Sequence, residues 1–244
     1  MARSRRDLSS ADARLLANSS SAQSSGLAAK DHSAHFIAEA LGFFGIGGVA
    51  ETLGSILGHD MGVIISMLRG INVGGHNKIK MDALRELYES LKLWDAQSYV
   101  QSGNVIFRSD ERDISRLTKR IEEGIERKFG FRPDVILRTA AEMREGIARN
   151  PFAKRRGIEP NKLLVTFLAS DPGEEAREKV RQMKCDPEEL RIEGRELYIY
   201  FPNGMGRSKL SLARLEKTLK TSGTGRNWNS VTKILEMAER LETS

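Results

Sequence analysis

The chain has 244 residues, with 39 Lys and Arg against 33 Asp and Glu, a formal net charge of +6 and a pI near 9.5. Its 39% hydrophobic and 30% charged residues are typical of a globular protein and exclude a fibrous or wholly disordered one. The single cysteine, Cys185, excludes an intramolecular disulfide and a cysteine-rich metal site. Because histidines are few and no apolar run is long enough to span a bilayer, we expect neither a metal centre nor a membrane span.

Residues 1–60 differ in composition from the rest of the chain. Residues 1–35 are rich in Ser and Ala and show no apolar periodicity, which is typical of disorder. The apolar stretch 36–58 is interrupted by two glutamates and several glycines, so it does not resemble a spanning helix. We interpret residues 1–60 as an N-terminal extension, largely disordered or placed ahead of a working start at Met61. Since no targeting signal is evident, we expect a cytoplasmic protein.

From Met61 the hydrophobic period alternates between that of strands and that of helices. The first series of predicted elements is a strand over 63–69, a helix over 81–91, a hairpin turning at Ser102-Gly103-Asn104, a helix over 113–129 and a strand over 134–138. Leucines 84, 87 and 91 share one helical face, and the hairpin arms are rich in β-branched and aromatic residues. The order is β-α-β-β-α-β.

The same order recurs in the second half of the chain. Its predicted elements are a strand over 163–168, a helix over 173–183, a hairpin over 190–201, a helix over 208–219, an extended stretch over 221–227 and a terminal helix over 229–241. We therefore predict an α/β (α+β) fold of two ferredoxin-like βαββαβ units, a duplicated α/β plait, with an added C-terminal helix. The predicted units are 61–139 and 162–244, joined by a connector over 140–161.

Glycines and cations concentrate just ahead of three predicted helices, within 69–80, 203–210 and 224–233. Helix N-termini carry partial positive charge, so lysine and arginine are unfavourable there unless an anion is bound nearby, and glycines let backbone N–H groups approach that anion. Residues 61–244 carry 34 basic against 27 acidic residues, a net charge of +7 that suits an anionic partner. We expect the two central strands of each unit to run parallel, so that the loops 70–80 and 203–207 occupy equivalent sheet edges in the two halves.

Five motifs of this chain resemble, in order, those of the bacterial domain-of-unknown-function 1697 family. They are RGINVGG (69–75), QSGNVIF (101–107), NPF (150–152), GRSKL (206–210) and GRNWNSVTK (225–233). The resemblance covers 61–244 and implies an α/β fold of ferredoxin-like units with no established activity; Gly225 departs from it, since similar sequences carry alanine there. The positions that match are Arg69, Asn72, Gly74, Gly75, Lys78, Gln101, Ser102, Asn104, Asn150, Arg207, Ser208, Lys209, Arg226, Asn227, Trp228 and Asn229.

Apart from Asn150, these residues form the predicted ligand site. They are mostly hydrogen-bond donors and cations, which hold phosphate or carboxylate groups better than they abstract protons. The sequence therefore favours a protein that binds a phosphate-bearing ligand, either a nucleotide-like metabolite or RNA, without a cofactor. Substituting Arg69, Arg207 or Arg226 is then expected to weaken binding without unfolding the protein.

Two alternatives stay open. The protein is an enzyme, a transferase or hydrolase acting on a phosphorylated metabolite with His76 or a carboxylate as the base, or it is a structural or protein-interaction domain in which Gln101, Asn104 and Asn227 hold the fold together. The cluster Lys154-Arg155-Arg156 is a further candidate contact for nucleic-acid phosphates. The sequence leaves the oligomeric state and the identity of any ligand open.

Overall fold

In the computed structural model, which describes residues 61–244, the chain passes twice through the order β-α-β-β-α-β-α. The first pass comprises β1 (Gly62–Leu68), α1 (Met81–Ser90), β2 (Trp94–Tyr99), β3 (Asn104–Ser109), α2 (Ile114–Phe129), β4 (Val135–Thr139) and α3 (Ala140–Ala148). The second comprises β5 (Leu163–Leu168), α4 (Gly173–Arg181), β6 (Glu189–Glu193), β7 (Glu196–Tyr200), α5 (Leu212–Leu219), β8 (Gly223–Asn227) and α6 (Trp228–Thr243). The predicted fold class is confirmed, and the prediction for residues 1–60 lies outside the described residues.

Each pass forms its own four-stranded antiparallel sheet. The strand order is β2-β3-β1-β4 in the first sheet and β6-β7-β5-β8 in the second. The expectation that the central strands run parallel is wrong, because β1 pairs with β3, and β5 with β7, in antiparallel register. In each half, the second strand of the hairpin lies between the two strands that the first helix connects. Neighbouring strands of the sheet therefore run in opposite directions.

The antiparallel register decides which loops meet. The loop after β1 lies beside the β2–β3 turn, where the Leu68 N–H donates to the Gly103 carbonyl at 2.9 Å. The loop after β7 instead lies at the end of the second sheet where β5 begins, because Leu163 pairs with Tyr200. The loops 70–80 and 203–207 therefore do not occupy equivalent sheet edges.

The central core joins the two halves. Alternate residues of β1 (Val63, Ile65 and Met67) and of β5 (Val165 and Phe167) pack in one buried cluster with apolar residues of α3 and α6. The other face of the first sheet is covered by α1 and α2, and that of the second sheet by α4 and α5. Because β1 is almost wholly buried on both faces, it reads as a continuous apolar run.

Helices α5 and α6 begin at residues other than those predicted. Helix α5 starts at Leu212 rather than 208, since the Ser211 hydroxyl accepts from the Arg214 N–H at 3.2 Å. Helix α6 starts at Trp228 rather than 229, because Asn227 is the N-cap and accepts from the Ser230 N–H at 2.9 Å. In both cases a side-chain acceptor satisfies an N–H of the first turn, and its position sets the start of the helix.

Candidate functional site

Two connections differ greatly in length between the halves of the duplicated fold. One is long in the first half, and the other is long in the second half. Residues 69–80 join β1 to α1, whereas residues 169–172 make the same connection from β5 to α4. Residues 201–211 join β7 to α5, whereas residues 110–113 join β3 to α2. Because the fold closes either connection with four residues, the additional residues are not needed to close the scaffold. Eight of the fifteen predicted site residues lie in these two long connections.

The side chain of Asn72 fixes the base of the first long connection. Its Nδ2 donates to the carbonyl oxygens of Ile79 and Gln101 at 3.0 and 2.8 Å, and its Oδ1 accepts from the Ile79 N–H at 2.9 Å. Asn72 adopts a left-handed backbone conformation with φ 54°, which asparagine tolerates better than most residues. The amide thus closes the loop on itself and attaches it to the β2–β3 turn.

Residues 73–80 form the tip of this connection, which we call the loop tip. Gly74 and Gly75 have φ +60° and +83°, and the His76 N–H donates to the Val73 carbonyl at 3.2 Å. His76, Lys78 and Lys80 are exposed, and none of them forms an ion pair within residues 61–244. Lys80 is the N-cap of α1 and makes no capping hydrogen bond through its side chain. Positive charge therefore accumulates at a helix start that no side chain caps.

Arg226 lies beneath the loop tip and the β2–β3 turn. The residue is 7% exposed, and every N–H group of its guanidinium forms a hydrogen bond. Its five N–H groups donate to Asn104 Oδ1 (2.5 Å), Thr224 Oγ1 (2.7 Å) and the carbonyl oxygens of Gly225, Leu68 and Ser102 (2.9 Å each). No carboxylate is among these partners, and burial lowers the pKa of Arg226 to about 10. The expectation that Arg226 binds a ligand directly is therefore wrong, because no donor is left to reach one.

Arg138 of β4 occupies the equivalent position in the first half. Its Nε donates to Glu196 Oε1 at 3.2 Å, and its terminal nitrogen donates to the carbonyl of Leu168, the last residue of β5, at 2.8 Å. Arg226 reaches the last residue of β1 in the same way. The two arginines differ in the partner that each finds at the first residue of the third strand of the other half. Arg138 pairs with the buried carboxylate of Glu196 at the start of β7, whereas Arg226 donates to the Asn104 side chain at the start of β3. Of the two buried cations, only Arg138 has a counter-ion.

The predicted site residues fall into three groups. The first group lies at the edge of the first sheet where β1 ends, and it consists of Arg69, Asn72, Gly74, Gly75, Lys78, Gln101, Ser102, Asn104 and Arg226. Arg207 and Lys209 line a separate cleft, and Ser208 lies between them. Asn227, Trp228 and Asn229 form the start of α6, where Trp228 packs against the central core.

Several of these residues have a structural contact. Arg69 bridges the two halves, since it pairs with Asp134 at 3.1 Å and with Glu216 of α5 at 2.7 Å. Asn104 is fully buried, and its Nδ2 donates to the Tyr99 carbonyl at 3.1 Å and to the Ser102 hydroxyl at 2.9 Å. These bonds leave the loop tip and Gln101 as the exposed part of the group.

One of the three cations in the cluster 154–156 is ion-paired. Arg155 pairs with Glu189 at 2.6 Å, and its guanidinium lies 5.8 Å from the centre of the Tyr200 ring. Lys154 and Arg156 are exposed. The cluster therefore offers two cations to a partner rather than three.

Sequence reasoning missed Arg138 and Glu196. A detectable signal was present, because aligning the two repeats on β4 and β8 places Arg138 at the position of Arg226. Sequence reasoning also missed Val73 and Val100, which are 69% and 49% exposed beside the predicted residues. Val100 has φ 50°, a backbone conformation that is costly for a β-branched residue.

The family model described as a protein of unknown function (DUF1697) matches residues 61–198. The chain belongs to this family. Among solved structures, this DUF1697 protein is similar to the conserved bacterial protein SP0830 from Streptococcus pneumoniae, with 23% identity over 73% of this chain and 99% of that chain and a TM-score of 0.54. This likeness supports the fold alone. A search of the curated proteins finds no match.

The described residues of the DUF1697 protein also bear on membrane spans and metal sites. Within residues 61–244, no helix is both long and apolar enough to cross a membrane. In the same part of the chain, no group of three or more His, Cys, Asp or Glu side chains is placed to hold a metal ion. Cys185 lies half-buried in the loop before β6, where burial raises the pKa of its thiol.

Proposed function

We propose that the protein binds a phosphate-bearing ligand through the loop tip. The observation that carries the proposal is the presence of His76, Lys78 and Lys80 on a connection that the duplicated scaffold makes elsewhere with four residues. Cations placed ahead of an uncapped helix start favour an anion, since the first backbone N–H groups of the helix point toward it. The cytoplasmic location expected from the sequence belongs to the same proposal.

The buried charge of Arg226 supports an anionic ligand. A guanidinium without a counter-ion, surrounded by neutral acceptors, adds positive potential to the nearby surface at the β2–β3 turn. The equivalent guanidinium of Arg138 has a counter-ion in Glu196 at 3.2 Å, a carboxylate that Arg149 shares at 3.3 Å. The buried cation beneath the loop tip, Arg226 of β8, is therefore the one of the two without a counter-ion among its hydrogen-bond partners.

The shape of the loop tip favours RNA over a small metabolite. Residues 73–78 and Lys80 of the tip are exposed while Ile79 is buried, and Val73 and Val100 add apolar surface beside the cations. An extended phosphate backbone can contact exposed cations at several points, whereas a small metabolite is usually held in an enclosing pocket. We therefore take single-stranded RNA as the first ligand to test and a nucleotide as the second.

The test is fluorescence anisotropy of a labelled single-stranded RNA at several salt concentrations, with the full chain. The wild type is expected to bind with an affinity that falls as salt rises. The double variant Lys78→Ala/Lys80→Ala is expected to bind about tenfold more weakly, and its slope of log affinity against log salt is expected to be less steep by about 1.4, the value for two phosphates on a single strand.

The matched control is Arg127→Ala/Lys217→Ala, which removes two exposed cations from α2 and α5. It is expected to retain wild-type affinity. An equal loss in both double variants would show that only net charge matters. A wild type that binds no RNA but gains thermal stability with a nucleotide such as ATP would shift the proposal to a small ligand; no response to either would remove it.

Neither alternative function gains comparable support. His76 is exposed at the loop tip, and its only hydrogen bond within residues 61–244 is a backbone one, so no geometry favours its use as a catalytic base. The contacts of Asn104 and Asn227 do agree with structural roles, as a buried bridge and as a helix cap. Those roles do not account for the exposed cations of the loop tip.

A further inference from the structure

The second half contains a cleft built from two enlarged connections. The cleft has a volume of about 530 Å³ and is lined by Asp186, Pro187, Glu188, Asn203, Arg207 and Lys209. One wall belongs to residues 182–188, which join α4 to β6, whereas residues 91–93 make that connection in the first half. The other wall belongs to the long connection 201–211. The duplicated scaffold closes without either enlargement, so the cleft is an addition to the fold.

The wall that carries the cations has an ordered backbone. Residues Met205–Arg207 form a 3-10 turn that follows Gly204, whose φ is +82°. The Arg207 N–H donates to the Gly204 carbonyl at 3.2 Å, and the Ser208 hydroxyl accepts from the Leu210 N–H at 3.0 Å. Arg207 and Lys209 are therefore presented to the cleft from a fixed turn.

The charges on the two walls are opposite and do not meet. Asp186 and Glu188 on one wall, and Arg207 and Lys209 on the other, form no ion pair within residues 61–244. The neighbouring charges behave differently, since Glu189, next in the chain, pairs with Arg155 at 2.6 Å. Two carboxylates and two cations thus share one cleft while each keeps its charge available to a ligand.

We propose that this cleft binds a small zwitterion. Its anionic group would contact Arg207 and Lys209, its ammonium group would contact Asp186 and Glu188, and the Asn203 amide would donate or accept a hydrogen bond between them. A polyanion such as RNA is disfavoured here, because its phosphates would also meet the two carboxylates. The cleft is therefore a site separate from the loop tip, and none of its lining residues belongs to residues 69–80.

The test uses two-dimensional amide NMR titrations of the full chain with three zwitterions: phosphoethanolamine, β-alanine and 6-aminohexanoate. Ethyl phosphate, propionate and propylamine serve as single-charge probes, which carry charge of one sign only. At least one zwitterion is expected to shift the amide signals of 184–188 and 203–209 and to bind about tenfold more tightly than the single-charge probes, a difference of about 1.4 kcal/mol.

Charge-neutralising variants separate the two walls. Asp186→Asn/Glu188→Gln is expected to reduce the affinity for the zwitterion to that of a single-charge anion, and Arg207→Gln/Lys209→Gln is expected to reduce it to that of propylamine. The control Glu89→Gln/Asp110→Asn removes two exposed carboxylates elsewhere and is expected to leave the affinity unchanged.

Three results would overturn the proposal. They are equal affinity for zwitterions and single-charge probes, the absence of shifts in both walls, and a loss of stability in the wall variants without any response to a ligand, which would show direct ion pairs across the cleft. Because the readout is the amide signals of the cleft, these outcomes do not depend on whether the loop tip binds RNA.

Discussion

Replacing Arg226 with methionine tests whether the buried guanidinium holds the two halves together. Methionine keeps most of the length of the side chain but removes all five donors. The substitution removes these donors from acceptors of β1, the β2–β3 turn, β3 and β8, although the Leu68 carbonyl still accepts from the Thr224 hydroxyl at 3.3 Å. We expect the variant to fold with a clearly lower free energy of unfolding, because an unsatisfied buried acceptor keeps the cost of its lost hydration.

The magnitude follows from the burial of the acceptors. Three of the five bonds are buried, those to Asn104, Thr224 and Leu68, and the two to Gly225 and Ser102 are partly buried and can be replaced by water. At about 1–2 kcal/mol for each buried acceptor, the loss is about 3–6 kcal/mol. Removing a buried charge also removes its desolvation cost, so we take about 3 kcal/mol as the net loss.

Urea denaturation followed by circular dichroism measures this loss, and the midpoint of thermal unfolding is expected to fall by about 6–12 °C. The matched control is Arg207→Met, which removes the same charge from an exposed position and is expected to change the free energy of unfolding by less than about 0.5 kcal/mol. A loss below about 1 kcal/mol in Arg226→Met would refute the reasoning.

Three further predictions concern the core and the turn. Burial raises the pKa of Tyr88 and Tyr198 above the usual value of 10.0. The contribution of these side chains to the free energy of unfolding is therefore present below that pH and is lost as the pH rises above it. In ultraviolet difference spectra at alkaline pH, both phenolate signals should appear only together with the loss of helical circular dichroism. Gly103→Ala should cost about 2–4 kcal/mol in urea denaturation, since its Cβ would lie 2.6 Å from the Ile71 Cδ1 at φ +71°, whereas Gly130→Ala meets no atom within 4 Å and should cost about 1 kcal/mol. Asn104→Asp would give the buried guanidinium a counter-ion, at the cost of the amide donor that now reaches the Tyr99 carbonyl. If the loop tip binds RNA, anisotropy of the folded variant should show a weaker affinity, and an unchanged affinity would show that the buried charge does not contribute.

Several features of the fold followed from the sequence because they depend on local pattern. The alternation of apolar runs predicted the strands and helices in the right order, since a strand repeats every two residues and a helix every 3.6. The family motifs and the duplication were visible for the same reason. The sequence was less informative about helix starts, because Ser208 and Ser211, or Asn227 and Asn229, are equally good caps and the packing of the following helix selects between them.

The roles of the three predicted site arginines depended on the tertiary structure. Arg69, Arg207 and Arg226 stand in similar glycine-rich contexts, yet the first pairs across the two halves, the second is exposed in a cleft and the third is buried. The partners of Arg226 include Leu68, Ser102 and the Asn104 side chain, more than 120 positions away in the chain.

The sequence by itself thus determined the elements, their order and the chemical types of residue available for a site. Tertiary structure decided which cations are buried or ion-paired within the fold, which remain exposed at the loop tip, and which face carboxylates across a cleft. The physical reason is that secondary structure depends on the spacing of neighbouring residues, whereas the burial and pairing of a charge depend on groups brought together only when the two sheets enclose their common core.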